Sequence, residues 1–443
     1  MTPSRLRLVL LSFVLTLSMP PTVVQAQTIE VGRTLETTPG YPRIHVQLQR
    51  DGETVTGKPL TFGALQSLQG LEGLQDLDEL DAALGDLQGP ARSFQAFLDT
   101  GASAYVISRT TAERFGIERE PNAVYHEVGL HGETPMHVSA PYTIALADST
   151  GKLMDQPGAF QTVEENARLQ LNPEAPQNPM IELAMGAIDV VGMPAIRRYV
   201  VEIDPAPLGG LGEAMQGLGD LQNLDNLEGG DFLDQIGEIG AGPAVTLHPA
   251  DHQPANVDLV VPLEYVDFTR HENPNDRGVM PTLAPNPMLE VETRHNQQTF
   301  TGQWLLDTGA PASIISTEHA TALGLYDDAG QPTQPPHFEL PLGGIGGDIQ
   351  RVPGYQVDAL HLHAADGRTI VYRDVAVLVT DISIEMDDGQ TITLAGVFGT
   401  NLLMPTVAGM GTGLPTDMAP GPYRRVWIDG PRQRLLLQLP AER

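Results

Sequence analysis

No cysteine occurs among the 443 residues, which excludes disulfide frameworks, zinc–thiolate sites, iron–sulfur ligation and thiol nucleophiles. Lipid attachment through an N-terminal cysteine is excluded with them. Positive charge is scarce: 25 Lys and Arg stand against 56 Asp and Glu, a net charge of −31. Nucleic acids and anionic membranes call for clustered Lys and Arg, so neither is an expected partner. Aromatic residues make up only 5% of the chain, yet a hydrophobic fraction of 41% suffices to bury real cores, and wholesale disorder is excluded.

Long apolar runs are missing too, and the one candidate sits at the start. Arg5 and Arg7 precede an apolar run from Leu8 to Leu17, followed by Pro20, Pro21 and the small Ala26. A short basic stretch, an apolar segment of about 10 residues and a small residue before a cut describe a secretory signal peptide. A membrane span needs about 20 apolar residues, and the two prolines interrupt this run first. Residues 1–26 are therefore expected to be a cleaved signal peptide. The mature chain is expected to be exported, periplasmic or extracellular, and not held by a membrane.

The chain contains itself twice. Phe97-Leu-Asp99-Thr-Gly-Ala102 recurs 208 residues on as Leu305-Leu-Asp307-Thr-Gly-Ala310. Each copy runs on through a similar apolar stretch, ending at Ser108 and Ser316, into a short helix-like segment closed by Gly116 or Gly324. An apolar pair and a glycine then recur, as Val190-Val191-Gly192 and Val397-Phe398-Gly399. Finally, the segment from Val200 to Pro205 echoes the one from Val426 to Pro431. Landmarks in one order at nearly constant spacing identify a duplication.

Between the landmarks the pattern is β. Residues 43–49, 142–146 and 288–292 alternate apolar and polar, and residues 357–363 and 369–372 flank an Asp366-Gly367 turn as a hairpin would. Two segments break the pattern. Leu65 to Leu80 and Leu208 to Leu227 carry leucines largely every third residue, a period that rotates around a helix and builds no stable face. They are expected to be low-complexity insertions, flexible or regulatory: residues 64–92 inside the first half and a linker over 206–244. The halves themselves are placed at 27–205 and 245–443.

An Asp-Thr-Gly turn at the end of an apolar strand presents a carboxylate from a fixed point. The strand anchors in the core, the glycine permits a sharp turn, and the threonine hydroxyl can hold it. Two such turns brought together by a pseudo-twofold axis set two carboxylates side by side. Like charges about 3 Å apart do not both ionise, so one proton is shared. One carboxylate can then take a proton from water while the other serves a carbonyl oxygen.

These residues resemble the aspartic peptidases, in particular the retropepsin-like branch. Asp307-Thr-Gly-Ala310 is similar to the retroviral active-site turn, and Gly396-Val-Phe-Gly399 with Asn401 and Leu402 to the segment and helix that follow it. The resemblance implies an all-β fold of two acid-protease barrel lobes with a cleft between them. It implies Asp99 and Asp307 as the catalytic dyad, supported by Thr100, Gly101, Thr308 and Gly309. It implies substrate-binding flaps at Gly129, Leu130, His131 and Gly132 and at Gly343, Gly344, Ile345, Gly346 and Gly347. The expected function is an exported endopeptidase, sufficient as a monomer and without cofactor or metal, acting on polypeptide. The alternative is a non-catalytic peptide-binding or scaffold protein that reuses the fold. Two other groupings read as ordinary surface, the His361–His363 pair and the loop histidines His126, His131 and His137, while Ser103 and Ser108 lack a Gly-x-Ser-x-Gly frame and do not support a serine hydrolase.

Overall fold

The computed structural model describes residues 27–58, 90–129, 132–149, 160–174, 188–210, 242–269, 278–343, 350–385, 390–409 and 417–441. The expected signal peptide, most of the 64–92 insertion and most of the 206–244 linker lie outside these residues. Among them the protein is mostly β, as its alternating pattern requires, with only short helices.

Strands of the first half form a ten-stranded sheet, and strands of the second half form a nine-stranded one. Both repeat one local topology. The strand Phe94–Leu98 enters the first Asp-Thr-Gly turn and pairs in parallel with Val190–Val191, which pairs antiparallel with Tyr105–Ile107. In the second half Gln298–Leu306 pairs in parallel with Gly396–Phe398, which pairs antiparallel with Ser313–Ile315. The helix-like segments are helices, Arg109–Phe115 and Thr317–Ala322. Ser108 and Ser316 cap their N-termini by accepting backbone N–H bonds from Thr111 and His319, both at 3.1 Å.

A third, five-stranded sheet draws on both halves. At its centre Val200–Asp204 pairs antiparallel with Arg425–Asp429, so the two echoing segments pair with each other. Glu202 lies opposite Trp427, Val201 opposite Ile428 and Ile203 opposite Val426, a register that a twofold axis between Glu202 and Trp427 would generate. The indole N–H of Trp427 donates to Glu202 Oε2 at 3.1 Å on that axis.

Two segments cross over. The strand Thr28–Thr34 pairs in parallel with Thr369–Val379 of the second sheet, although its place in the chain assigns it to the first half. The Thr38 N–H donates to the Pro311 carbonyl, and in return the Ala284 N–H donates to the Ser103 carbonyl, each at 2.9 Å. Ser103 and Pro311 occupy the same place, four residues after Asp99 and Asp307. The exchange is reciprocal.

The insertions leave the core at closed points. Gly57 and Ala91 bridge one another just outside residues 59–89, and Val200–Asp204 pairs with Ala244–His248 across residues 211–241. Leu208, expected within the linker, is instead fully buried in a 3-10 turn over Ala206–Gly210. Its side chain joins the main apolar core, where complete burial of a leucine contributes roughly 1.5–3 kcal/mol.

One core residue couples stability to pH. His319 is fully buried beside Phe300 and Trp304, its Nδ1 bonded to the Ala395 carbonyl at 3.1 Å and its Nε2 without a partner. Burial lowers its pKa from the ordinary 6.5 to about 4. Because the folded value is depressed, the unfolded chain binds this proton first as pH falls. The contribution to stability is full above pH about 6.5 and is lost towards pH about 4, a change on the order of 3 kcal/mol. Urea unfolding of wild type and His319→Phe across this range should give difference curves with that slope; parallel curves would refute the assignment.

Candidate active site

Each Asp-Thr-Gly turn is fixed on three sides. Asp99 begins where Phe94–Leu98 ends, and its N–H donates to the Val191 carbonyl; the Asp307 N–H donates to Phe398 in the same way, both at 3.1 Å. This explains the glycine after each apolar pair. A Cβ on Gly192 would lie 2.2 Å from the Ala104 carbonyl oxygen, and one on Gly399 2.5 Å from that of Ala312.

Across the midline the threonines interlock. The Thr100 hydroxyl donates to the Leu306 carbonyl at 2.6 Å and accepts the Thr308 N–H at 3.0 Å. The Thr308 hydroxyl donates to the Leu98 carbonyl at 2.6 Å and accepts the Thr100 N–H at 3.1 Å. Both threonines are fully buried, so no water competes for these four bonds.

The carboxylates lie above them. Asp99 Oδ1 accepts the N–H groups of Gly101 and Ala102 at 2.7 and 3.2 Å, and Asp307 Oδ1 accepts those of Gly309 and Ala310 at 2.8 and 3.1 Å. Each carboxyl also packs on the opposite glycine. A Cβ on Gly101 would meet the Asp307 carboxyl carbon at 2.5 Å, and one on Gly309 would meet that of Asp99 at 2.5 Å. Only glycine leaves this space. The two carboxyl groups are close enough to act on each other's charge, and both residues keep part of their surface open.

Burial raises the pKa of both aspartates. On Asp99 the hydrogen bonds from Asp307 and from backbone N–H groups work against that rise. On Asp307 the charge of Asp99 adds to it, so the pair holds one proton above the ordinary carboxylate range. The pair titrates as a unit, and such a unit can give and take a proton without leaving its place.

The remaining sequence-derived positions fall as follows. Gly129 and Gly132 face each other at the end of the hairpin formed by Arg119–Gly129 and Gly132–Ser139. Leu130 and His131 lie outside the described residues. Gly343 follows the strand Phe338–Leu342, which pairs with Gln350–His363, while Gly344, Ile345, Gly346 and Gly347 lie outside. His361 and His363 line a polar hollow of about 640 Å³ that includes no dyad-turn residue. His361 faces Glu292 at 3.1 Å, and no cluster of metal-ligating side chains forms among the described residues.

Three residues near the dyad escape a reading of motifs. Asn286 is buried and donates through Nδ2 to the carbonyls of Thr100 and Gly101 at 3.1 and 2.9 Å, bracing the opposite turn. Strand register makes Tyr41 its counterpart, since Arg43 pairs with Phe97 where Met288 pairs with Leu305. Burial pushes Tyr41 up to about 12, with the Asp307 charge also raising it. The available signal was an X-Pro pair, Tyr41-Pro42 and Asn286-Pro287, hidden because the insertion changes its distance to the aspartate. The third residue, Glu127, is treated below. The chain matches no protein-family model and no curated protein.

Thr100→Ala should strand the Thr308 N–H and the Leu306 carbonyl in a dry interior, at a cost of about 2–4 kcal/mol. Thr100→Ser keeps both bonds and should recover most of the loss. Denaturant midpoints of the three proteins decide this, and an alanine variant as stable as wild type would contradict the interlock.

Proposed function

We propose that the protein is an aspartic endopeptidase whose two halves form acid-protease lobes, each contributing one aspartate to a cleft. The single observation that carries this reading is that the Asp99 and Asp307 carboxyls each pack on the glycine of the opposite turn, over the threonine interlock. A duplicated turn kept only for folding has no reason to bury two acids against each other and leave their faces open.

In the proposed reaction a water molecule lies between the carboxyls. Asp99, ionised, takes a proton from it as it attacks the carbonyl carbon of the scissile amide, while Asp307 donates its proton to the carbonyl oxygen. The tetrahedral diol then collapses, the amide nitrogen gains a proton from the dyad, and the C–N bond breaks. Glycine-rich hairpins over the cleft would hold the substrate backbone in extended form by strand-like pairing. We also propose export of the mature chain, from the pattern in residues 1–26, and activity as a monomer, because one chain supplies both acids.

Asp99→Asn and Asp307→Asn should each abolish peptide hydrolysis with the fold retained by circular dichroism, and a statine-type analogue should inhibit the wild type. Full activity in either variant sinks the dyad. The pH dependence follows from the shifts. Activity needs one proton on the pair, and burial raises both aspartates, so the active window lies above the ordinary carboxylate range. No hydroxyl follows either glycine to pull the values down, since Ala102 and Ala310 stand there. A pH–rate profile should peak at mildly acidic pH, and a maximum at the lowest pH tolerated contradicts it.

A further inference from the structure

The two halves share a backbone plan but differ in polarity at equivalent places beside the dyad. Val106 and Ile314 both lie seven residues after their aspartate. Val106 pairs with Gln170, and Ile314 with Leu378. Gln170 pairs in turn with Val138, and Leu378 with Gly354. Four residues back along those strands, Thr134 pairs with Glu127 and Gln350 with Leu342. The ladder thus equates Gln170 with Leu378 and Glu127 with Leu342.

In the second half, Leu342 and Leu378 belong to one apolar cluster with Ala312, Ile314 and Val352, which packs against Ala310 of the catalytic turn. In the first half the matching cluster retains Ala102, Ala104, Val106 and Met136, but polar groups stand where the two leucines would be. The Gln170 side-chain N–H donates to Glu127 Oε2 at 2.6 Å, and the Ser103 side chain lies close enough to lower that carboxyl's pKa against the effect of burial. Ser103 adjoins Ala102, whose N–H holds Asp99. Gln170 is fully buried, and its Oε1 has no donor. Glu127 is half-buried, and among the described residues its neighbours supply a hydrogen bond but no cation. Burial accordingly raises its carboxyl to about 7, so it is largely neutral at mildly acidic pH when unpaired and ionises on pairing with a cation.

A carboxylate and an amide oxygen in need of donors, one step from the reacting aspartate, make a site for an ammonium or guanidinium group. We propose that Glu127, with Gln170 and Ser103, forms a subsite on the first half's side of the dyad that takes a cationic side chain of the bound polypeptide. Its apolar counterpart around Leu342 and Leu378 takes an aliphatic one. This inference rests on the peptidase reading for its substrate, and names the sequence preference of that same cleft.

The test compares cleavage of a peptide library by wild type, Glu127→Gln and Glu127→Leu, followed by kcat/KM for a matched pair of peptides with lysine or leucine at the position selected. Wild type should favour lysine at one position on one side of the cut bond. Both variants should narrow the lysine-to-leucine ratio by about tenfold, since a charge-assisted hydrogen bond is lost. Glu127→Gln keeps an acceptor for Gln170, so it separates charge from packing. No cationic preference in wild type, a preference that survives both variants, or an equal loss on both peptides overturns the assignment; the last marks Glu127 as structural. Should wild type cut no peptide at all, the peptidase reading fails separately. Calorimetric titration of the same pair onto wild type and Glu127→Gln then decides the subsite: tighter, Glu127-dependent binding of the lysine peptide supports it, and equal binding overturns it.

Discussion

Each Asp-Thr-Gly turn in this protein is incomplete without the other. The Thr100 and Thr308 hydroxyls bond to the carbonyls just before the opposite aspartate, and each accepts the N–H of its counterpart, all without water. A buried N–H or carbonyl deprived of its partner costs more than the bond is worth when made, so the four bonds form together or not at all. They set the spacing of the backbones from which the carboxyls rise. The carboxyls, in turn, lie against the glycines of the facing turns, where no side chain could stand between them.

Electrostatics follow from this geometry. Two acids in a shared, partly buried space hold a proton between them, while backbone N–H groups on each side oppose the rise that burial causes. Asp99 gathers an opposing set of hydrogen bonds, whereas Asp307 feels the charge of Asp99 on top of its burial. A twofold-related pair of turns thus becomes chemically unequal. Further out the halves differ in composition as well, with Glu127 and Gln170 in one where leucines stand in the other.

Much of this was legible in the sequence, because the duplication is written in local features. Ser108 and Ser316 announce helix starts, Gly116 and Gly324 their ends, and an apolar pair with glycine announces the strand that backs each aspartate. Alternation found the strands around 43–50, 142–147 and 286–295. What escaped were partners chosen at long range. The strand Thr28–Thr34 carries no mark of the residues 369–379 that it joins. Asn286 and Tyr41 become recognisable as a pair only once strand register aligns them, since the insertion upsets their spacing. Leu208 lay in a run of leucines with no helical face, and its burial in the main core follows from a 3-10 turn that the run does not announce.

The reciprocal crossover of the chain ends has a bearing on biosynthesis. A ribosome delivers residue 28 long before residue 369, and residue 99 well before residue 307. The opening strand therefore waits for almost the whole polypeptide before it can dock, and closure of so distant a pairing is slow. No nascent fragment ending before the second turn carries more than one of the paired acids. The pair of acids is complete only once residue 307 has been made, and the strand at residue 28 finds its partner later still.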